Sequence, residues 1–127
     1  MSSAQLLEFK EILKSKSVSQ RKPDKQTRKL LNFLFTGTRG GFTRLSIIML
    51  LLEKSYNTHQ LSQELGIDYK AVQHHIKVLE RNNMVLRVGE KYGAMFHLSN
   101  YLEMNIMALE DAIDKLYRKM NYKKVYL

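Results

Sequence analysis

Cysteine and tryptophan are absent from this chain of 127 residues, and there is a single proline. Without cysteine there can be no disulfide framework and no thiolate metal site, which fits a reducing interior. Acidic residues are scarce. The 12 Asp and Glu stand against 21 Lys and Arg, for a formal net charge of +9. Long apolar runs are missing as well. The longest, Ile47 to Leu52, is far short of the roughly 20 residues that a membrane-spanning helix needs. The opening, Met1 to Ala4, lacks the charged-then-apolar order of a signal peptide. What is left is an ordinary globular chain, 44% hydrophobic, expected to be cytoplasmic and away from the membrane.

The cationic excess favours a polyanion as partner. It is uneven, because residues 1–41 hold nine basic groups and three acidic ones, against seven and five in residues 42–99. The chain divides into three parts. Residues 1–25 read as a short helix, about Ser3 to Lys14, followed by a polar basic arm that holds Pro23. Residues 26–99 read as the main domain, and residues 100–127 as a C-terminal helix with a basic-aromatic tail. Within the main domain, Thr27 to Phe35 is too short for periodicity to separate helix from strand, and helix is the favoured reading. Helix follows from Thr43 to about Lys54, with Leu45, Ile48, Met49 and Leu52 toward the core. Between them, residues 37–41 are glycine-rich but lack the Gly-Lys-Ser/Thr ending of a phosphate loop. Arg39 in that loop is a candidate contact for a DNA phosphate.

Residues 58–82 carry the strongest functional signal. Leu61 and Leu65 give a first helix its apolar stripe, with Thr58 as its expected N-cap. Gly66 stands where the chain leaves that helix, and Asp68 where it enters the next. Val72, Ile76 and Leu79 then recur at spacings of four and three, so they share a buried face. Tyr69, Lys70, Gln73, His74 and Lys77 fall on the opposite face, and these residue types contact phosphates and base edges. This is the pattern of a helix-turn-helix whose second helix, about 68–82, enters the major groove. His75, beside Ile76, is read as structural.

After Asn83 the period shortens. Met84 to Gly89 and Ala94 to Leu98 are two runs of β-formers joined through Glu90 to Gly93, the signature of a hairpin. A hairpin directly after a recognition helix is a wing, here about 84–98. Arg87 and Lys91 would bring positive charge along it, with Tyr92 at its tip. The fold class expected is therefore mostly α with a small β-hairpin wing, a winged helix-turn-helix, plus a C-terminal dimerisation helix.

That last helix is expected to begin with Asn100 as cap and Glu103 closing a capping box. Leu102, Ile106, Leu109, Ile113, Leu116 and Met120 follow at spacings of 4, 3, 4, 3 and 4. Such a stripe suits the seam between two helices and marks the expected homodimer interface.

The order of these parts resembles one known family. Residues 42–48, Phe-Thr-Arg-Leu-Ser-Ile-Ile, resemble the Thr-Arg-Leu-x-Ile opening of the arsenic-repressor-like (ArsR-like) winged-helix regulators. Residues 72–79, Val-Gln-His-His-Ile-Lys-Val-Leu, look like that family's recognition helix, and residues 83–87 like the entry to its wing. The Asp68-Tyr-Lys and Tyr92-Gly variants are similar to archaeal members. The resemblance covers about Arg39 to Ser99 and implies a homodimeric, sequence-specific regulator of transcription. Metal-sensing members carry paired Cys, or His and Asp on the C-terminal helix. This chain has no Cys, and its last helix has no His. Neither metal nor cofactor is expected.

Double-stranded DNA is thus the expected partner, with any effector unknown. The alternative is a winged-helix module that binds protein within a transcription or chromatin assembly. No carboxylate pair or nucleophile–His arrangement suggests an enzyme.

Overall fold

A computed structural model describes residues 2–16, 22–90 and 93–125, without the side chains of Lys16 and residues 121–125. The chain forms two compact units. One spans Thr43 to Glu103, and the other joins the chain up to Phe42 with the chain from Met104 onward. The helix that follows the boundary expected before Gln26 thus falls in the same unit as the chain's two ends.

In the terminal unit, α1 (Ser3–Lys16), α2 (Lys25–Phe35) and α7 (Ile106–Val125) pack together, α7 against both of the others. Leu6, Phe9 and Leu13 form the buried stripe of α1. From α2 come Leu31, Leu34 and Phe35. Asp24 caps α2, its carboxylate accepting from the Thr27 amide at 2.7 Å. On α7 the buried set is Ile106, Ala108, Leu109, Ala112, Ile113 and Leu116.

The six residues of the expected seam do not all lie on one helix. Leu102 lies on a separate short helix, α6 (Asn100–Met104). The chain restarts at Asn105, whose carbonyl accepts from Ala108 and Leu109. Ile106, Leu109, Ile113 and Leu116 are filled by the unit's own core, and Met120 is half-buried. The small Ala108 and Ala112 widen the stripe beyond a narrow seam, as on a helix that covers its own domain.

Gly41 opens α3 (Gly41–Glu53) at a point of close approach. A Cβ there would lie 2.4 Å from the Phe35 carbonyl oxygen, so only glycine fits without a shift.

In the central unit, α3 buries Leu45, Ile47, Ile48 and Leu51, together with Arg44. Ile48 and Leu45 face inward as expected, but Met49 and Leu52 are only half-buried. Six consecutive apolar residues carry no phase, so their sequence does not say which side faces in. Next comes α4 (Thr58–Leu65). Its cap is Asn57 and not Thr58. The Asn57 side chain accepts from the Gln60 amide at 2.7 Å, and the Gln60 side-chain oxygen accepts in turn from the Asn57 amide at 2.9 Å. Gly66 ends α4 at φ +64°, the left-handed conformation expected of it. Ser62 fixes the turn by donating to the Ile67 carbonyl.

Asp68 precedes α5 (Tyr69–Arg81) but makes no side-chain capping bond. Asn83, at φ +58°, turns the chain out of α5. There β1 (Val85–Val88) and β2 (Met95–Leu98) pair antiparallel, with Val85 opposite Leu98 and Val88 opposite Met95. Tyr56 adds a bridge to this hairpin, its carbonyl accepting from the Phe96 amide at 2.8 Å. Ser99, one residue before the expected cap, opens α6. Its hydroxyl accepts from the Leu102 amide and donates to the Asn83 carbonyl, which ties the end of the wing to the exit of α5.

Candidate nucleic-acid interface

Helix α5 is sharply two-faced. Val72, Ile76 and Leu79 are buried. Lys70, Gln73, His74 and Lys77 are exposed, as is Tyr69 at 39%. The outward face thus offers two ammonium groups, an amide, an imidazole and a phenol in one row, and Arg81 extends it at the last turn. Such a row can engage phosphate oxygens and base edges together.

Behind that face lies a polar contact. Arg44 of α3 is 4% exposed and donates from its guanidinium to Nδ1 of His75 at 3.2 Å. The His75 ring stands edge-on to that of His74, with centroids 5.3 Å apart. Burial, then the Arg44 charge, then His74 hold the His75 imidazole below the usual histidine range. Burial likewise lowers Arg44. Desolvation disfavours each charged form, and two adjacent cations disfavour it further.

The wing is braced to α5. Arg87 meets the Glu80 carboxylate with Nε and a terminal nitrogen, at 3.2 and 3.3 Å, and lies over the Phe96 ring at 5.3 Å. Arg87 therefore spends much of its donor capacity inside the domain. Leu86 and Val88 are exposed along β1, at 46% and 57%. Lys91 and Tyr92, expected on the same hairpin, lie outside the described residues, as does Arg21 of the basic arm. Arg39 is exposed on the loop before α3, in the terminal unit. Among the described residues no group of three or more His, Asp or Glu could hold a metal ion. No described helix is long and apolar enough to cross a membrane.

A helix pair with a left-handed glycine turn, followed by a braced antiparallel hairpin, is a winged helix-turn-helix. Residues 42–86 match the model of a family described as bacterial regulatory protein, arsR family. The match covers the helix-turn-helix and the start of the wing, and it supports a DNA-binding regulator of transcription. Two solved structures of HlyU from Vibrio cholerae share the winged-helix fold. The reduced form is 21% identical, with 72% of this chain and 90% of that one covered and a TM-score of 0.52. The other is 23% identical, with 76% and 96% covered and a TM-score of 0.51. No curated protein matches the chain. The archaeal likeness finds no support in these comparisons.

Several contributors to this site carry weak sequence signals. Arg44 reads as one more cation at the start of an apolar helix, and only its burial shows that it supports α5. Glu80 and Arg87 are seven residues apart across a change of period, which no helical or strand spacing rule pairs. Tyr56 is one β-former between Ser55 and Asn57, too little for a strand pattern.

Proposed function

We propose that the protein is a sequence-specific, double-stranded DNA-binding regulator of transcription that acts as a homodimer in the cytoplasm. The observation that carries this reading is the outward row of α5, polar and cationic throughout, on the second helix of an ArsR-family helix-turn-helix. In this reading residues 68–82 enter the major groove. Gln73 suits adenine, Lys70 and Lys77 suit guanine or phosphate, and His74 and Tyr69 donate or accept alongside them. The wing, about 84–98, meets the backbone or minor groove through Arg87 and Lys91, and Arg39 adds a phosphate contact.

A two-fold dimer would hold two α5 helices about 34 Å apart, for an inverted-repeat site. The stripe Leu102, Ile106, Leu109, Ile113, Leu116 and Met120 remains the dimerisation helix of this reading. Its buried members already serve the chain's own core, so a second copy would meet other faces of the terminal unit. Support comes from Met120 and from Leu7 and Phe33, exposed at 44% and 57%.

One observation favours a second reading, a wing that docks protein. Leu86 and Val88 are large, apolar and exposed on β1, and interface cores are enriched in such groups. Genomic footprinting in the host decides between them. Discrete footprints sharing an inverted repeat support the regulator. Their absence, with the protein recovered in a stable assembly through its wing, supports the docking module.

A further inference from the structure

The terminal unit contains a cleft that the DNA reading leaves unused. It lies between α2 and α7 and has a volume of about 980 Å³. One wall is Arg28 and Asn32, one helical turn apart on α2. The other is the row Ala108, Asp111, Lys115 and Arg118 on α7, at spacings of 3, 4 and 3, with Lys119 beside it. Ala108, 2% exposed, is the small apolar residue of this lining.

The charges in this cleft are unbalanced. Among the described residues, Arg28, Lys115, Arg118 and Lys119 line a concave surface that offers one carboxylate, Asp111, 3.8 Å from Nε of Arg28. Among the described residues no ion pair engages Lys115, Arg118 or Lys119. The other acids of α7 serve its opposite side. Asp114 pairs with Lys10 of α1, and Glu110 feels the charges of Lys14 and Lys10. So α7 sorts most of its charges, with Glu110 and Asp114 toward α1, and Lys115, Arg118 and Lys119 together with Asp111 in the cleft beside α2. Solvated cations on a convex helix face keep apart, whereas like charges gathered in a cleft focus a field that an anion relieves. A cleft of this size lies near the upper end of small-ligand sites. Guanidinium groups on both walls suit bidentate capture of phosphate or carboxylate.

We propose that this cleft binds a small organic anion of about nucleotide size, with at least two negative charges on phosphate or carboxylate groups. Arg28 and Arg118 take those groups from the two walls, and Lys115 and Lys119 add charge. Asp111 and Asn32 remain for hydroxyl or amino groups on the ligand body. On the regulator reading above, this is the place where a metabolite would signal to the protein.

The test is calorimetric titration of the full-length protein with ATP or citrate, in EDTA and at physiological salt. At least one of the two should saturate one site per chain. Lys115→Glu with Arg118→Glu should weaken that site about tenfold or more, and Arg118→Gln, a milder change, should weaken it less. Lys77→Glu on α5 should leave it unchanged. No saturable binding of either anion overturns the proposal. So does a loss caused by Lys77→Glu and not by the cleft variants, since the anion would then be occupying the DNA face. Competition by inorganic phosphate at equal concentration overturns the organic part of the claim. The readout is anion binding alone, so its failure leaves DNA recognition standing, and a chain that binds no DNA could still show the site.

Discussion

Arg44 and His75 share a hydrogen bond of 3.2 Å behind the outward face of α5. Arginine only donates, so Nδ1 of His75 accepts and its ring proton sits on Nε2. The neutral imidazole is therefore part of the support that orients the row from Tyr69 to Lys77. Protonation would replace the acceptor with a donor and set a cation against the buried guanidinium.

A pH dependence follows, and its sign is fixed. The folded chain holds the His75 pKa below its ordinary value. In the unfolded chain histidine titrates near about 6.5. As pH falls through that value the unfolded state takes up the proton first, so stability declines. It is full above the unfolded value and levels off below the folded one. Melting temperature should therefore drop from about pH 7.5 to about pH 5, and His75→Gln should flatten part of that slope. Identical slopes in the two proteins would remove His75 from the account.

Two glycines should answer differently to alanine. At Gly66 a Cβ meets nothing within 4 Å, so Gly66→Ala carries only the left-handed backbone penalty, roughly 1–2 kcal/mol. At Gly41 the added Cβ strikes the Phe35 carbonyl oxygen at 2.4 Å. Gly41→Ala should cost more, about 3 kcal/mol, because backbone has to move. Denaturation with urea ranks them, and the reverse order would contradict the close approach of Gly41 to Phe35.

Glu80 holds Arg87 on a half-exposed surface, where such a pair contributes about 1 kcal/mol or less. Glu80→Gln should leave stability nearly unchanged while releasing Arg87 for DNA. If the wing contacts phosphate, this variant should bind DNA more tightly and steepen the salt dependence by up to about one unit. An unchanged salt slope in fluorescence anisotropy would mean that Arg87 serves the wing's geometry and nothing more.

These contrasts show where the sequence was informative. The buried and exposed faces of α5 were legible because Val72, Ile76 and Leu79 repeat at helical spacing among polar residues. The wing was legible from its change of period. The inward side of α3 was not, because its apolar run has no polar phase marker. Helix caps shifted by one residue, to Asn57 and Ser99, since neighbouring positions carry equally good cap formers. The width of the buried stripe on α7 was hidden by Ala108 and Ala112, too small to count until burial shows them. The cleft joins Arg28 to residues beyond 107, a pairing across most of the chain that no local pattern encodes.

The burial of Ile113 sets the outcome expected of Ile113→Glu. Ile113 is 1% exposed within its own unit, so the variant buries a charge without a partner. The cost should be several kcal/mol, borne by the fold of the terminal unit itself. Circular dichroism and melting should show partial unfolding together with any loss of dimer. A fully folded monomer would instead mean that Ile113 faces a second copy.

The central claim is that the outward face of α5 reads sequence, and Gln73→Ala tests it most directly. Once the preferred site has been selected from random duplexes, affinity for that site and for random DNA is measured by anisotropy at fixed salt. The account predicts a loss of about 1–3 kcal/mol on the preferred site and little change on random DNA. An equal loss on both, or no preferred site for the unaltered protein, would contradict it.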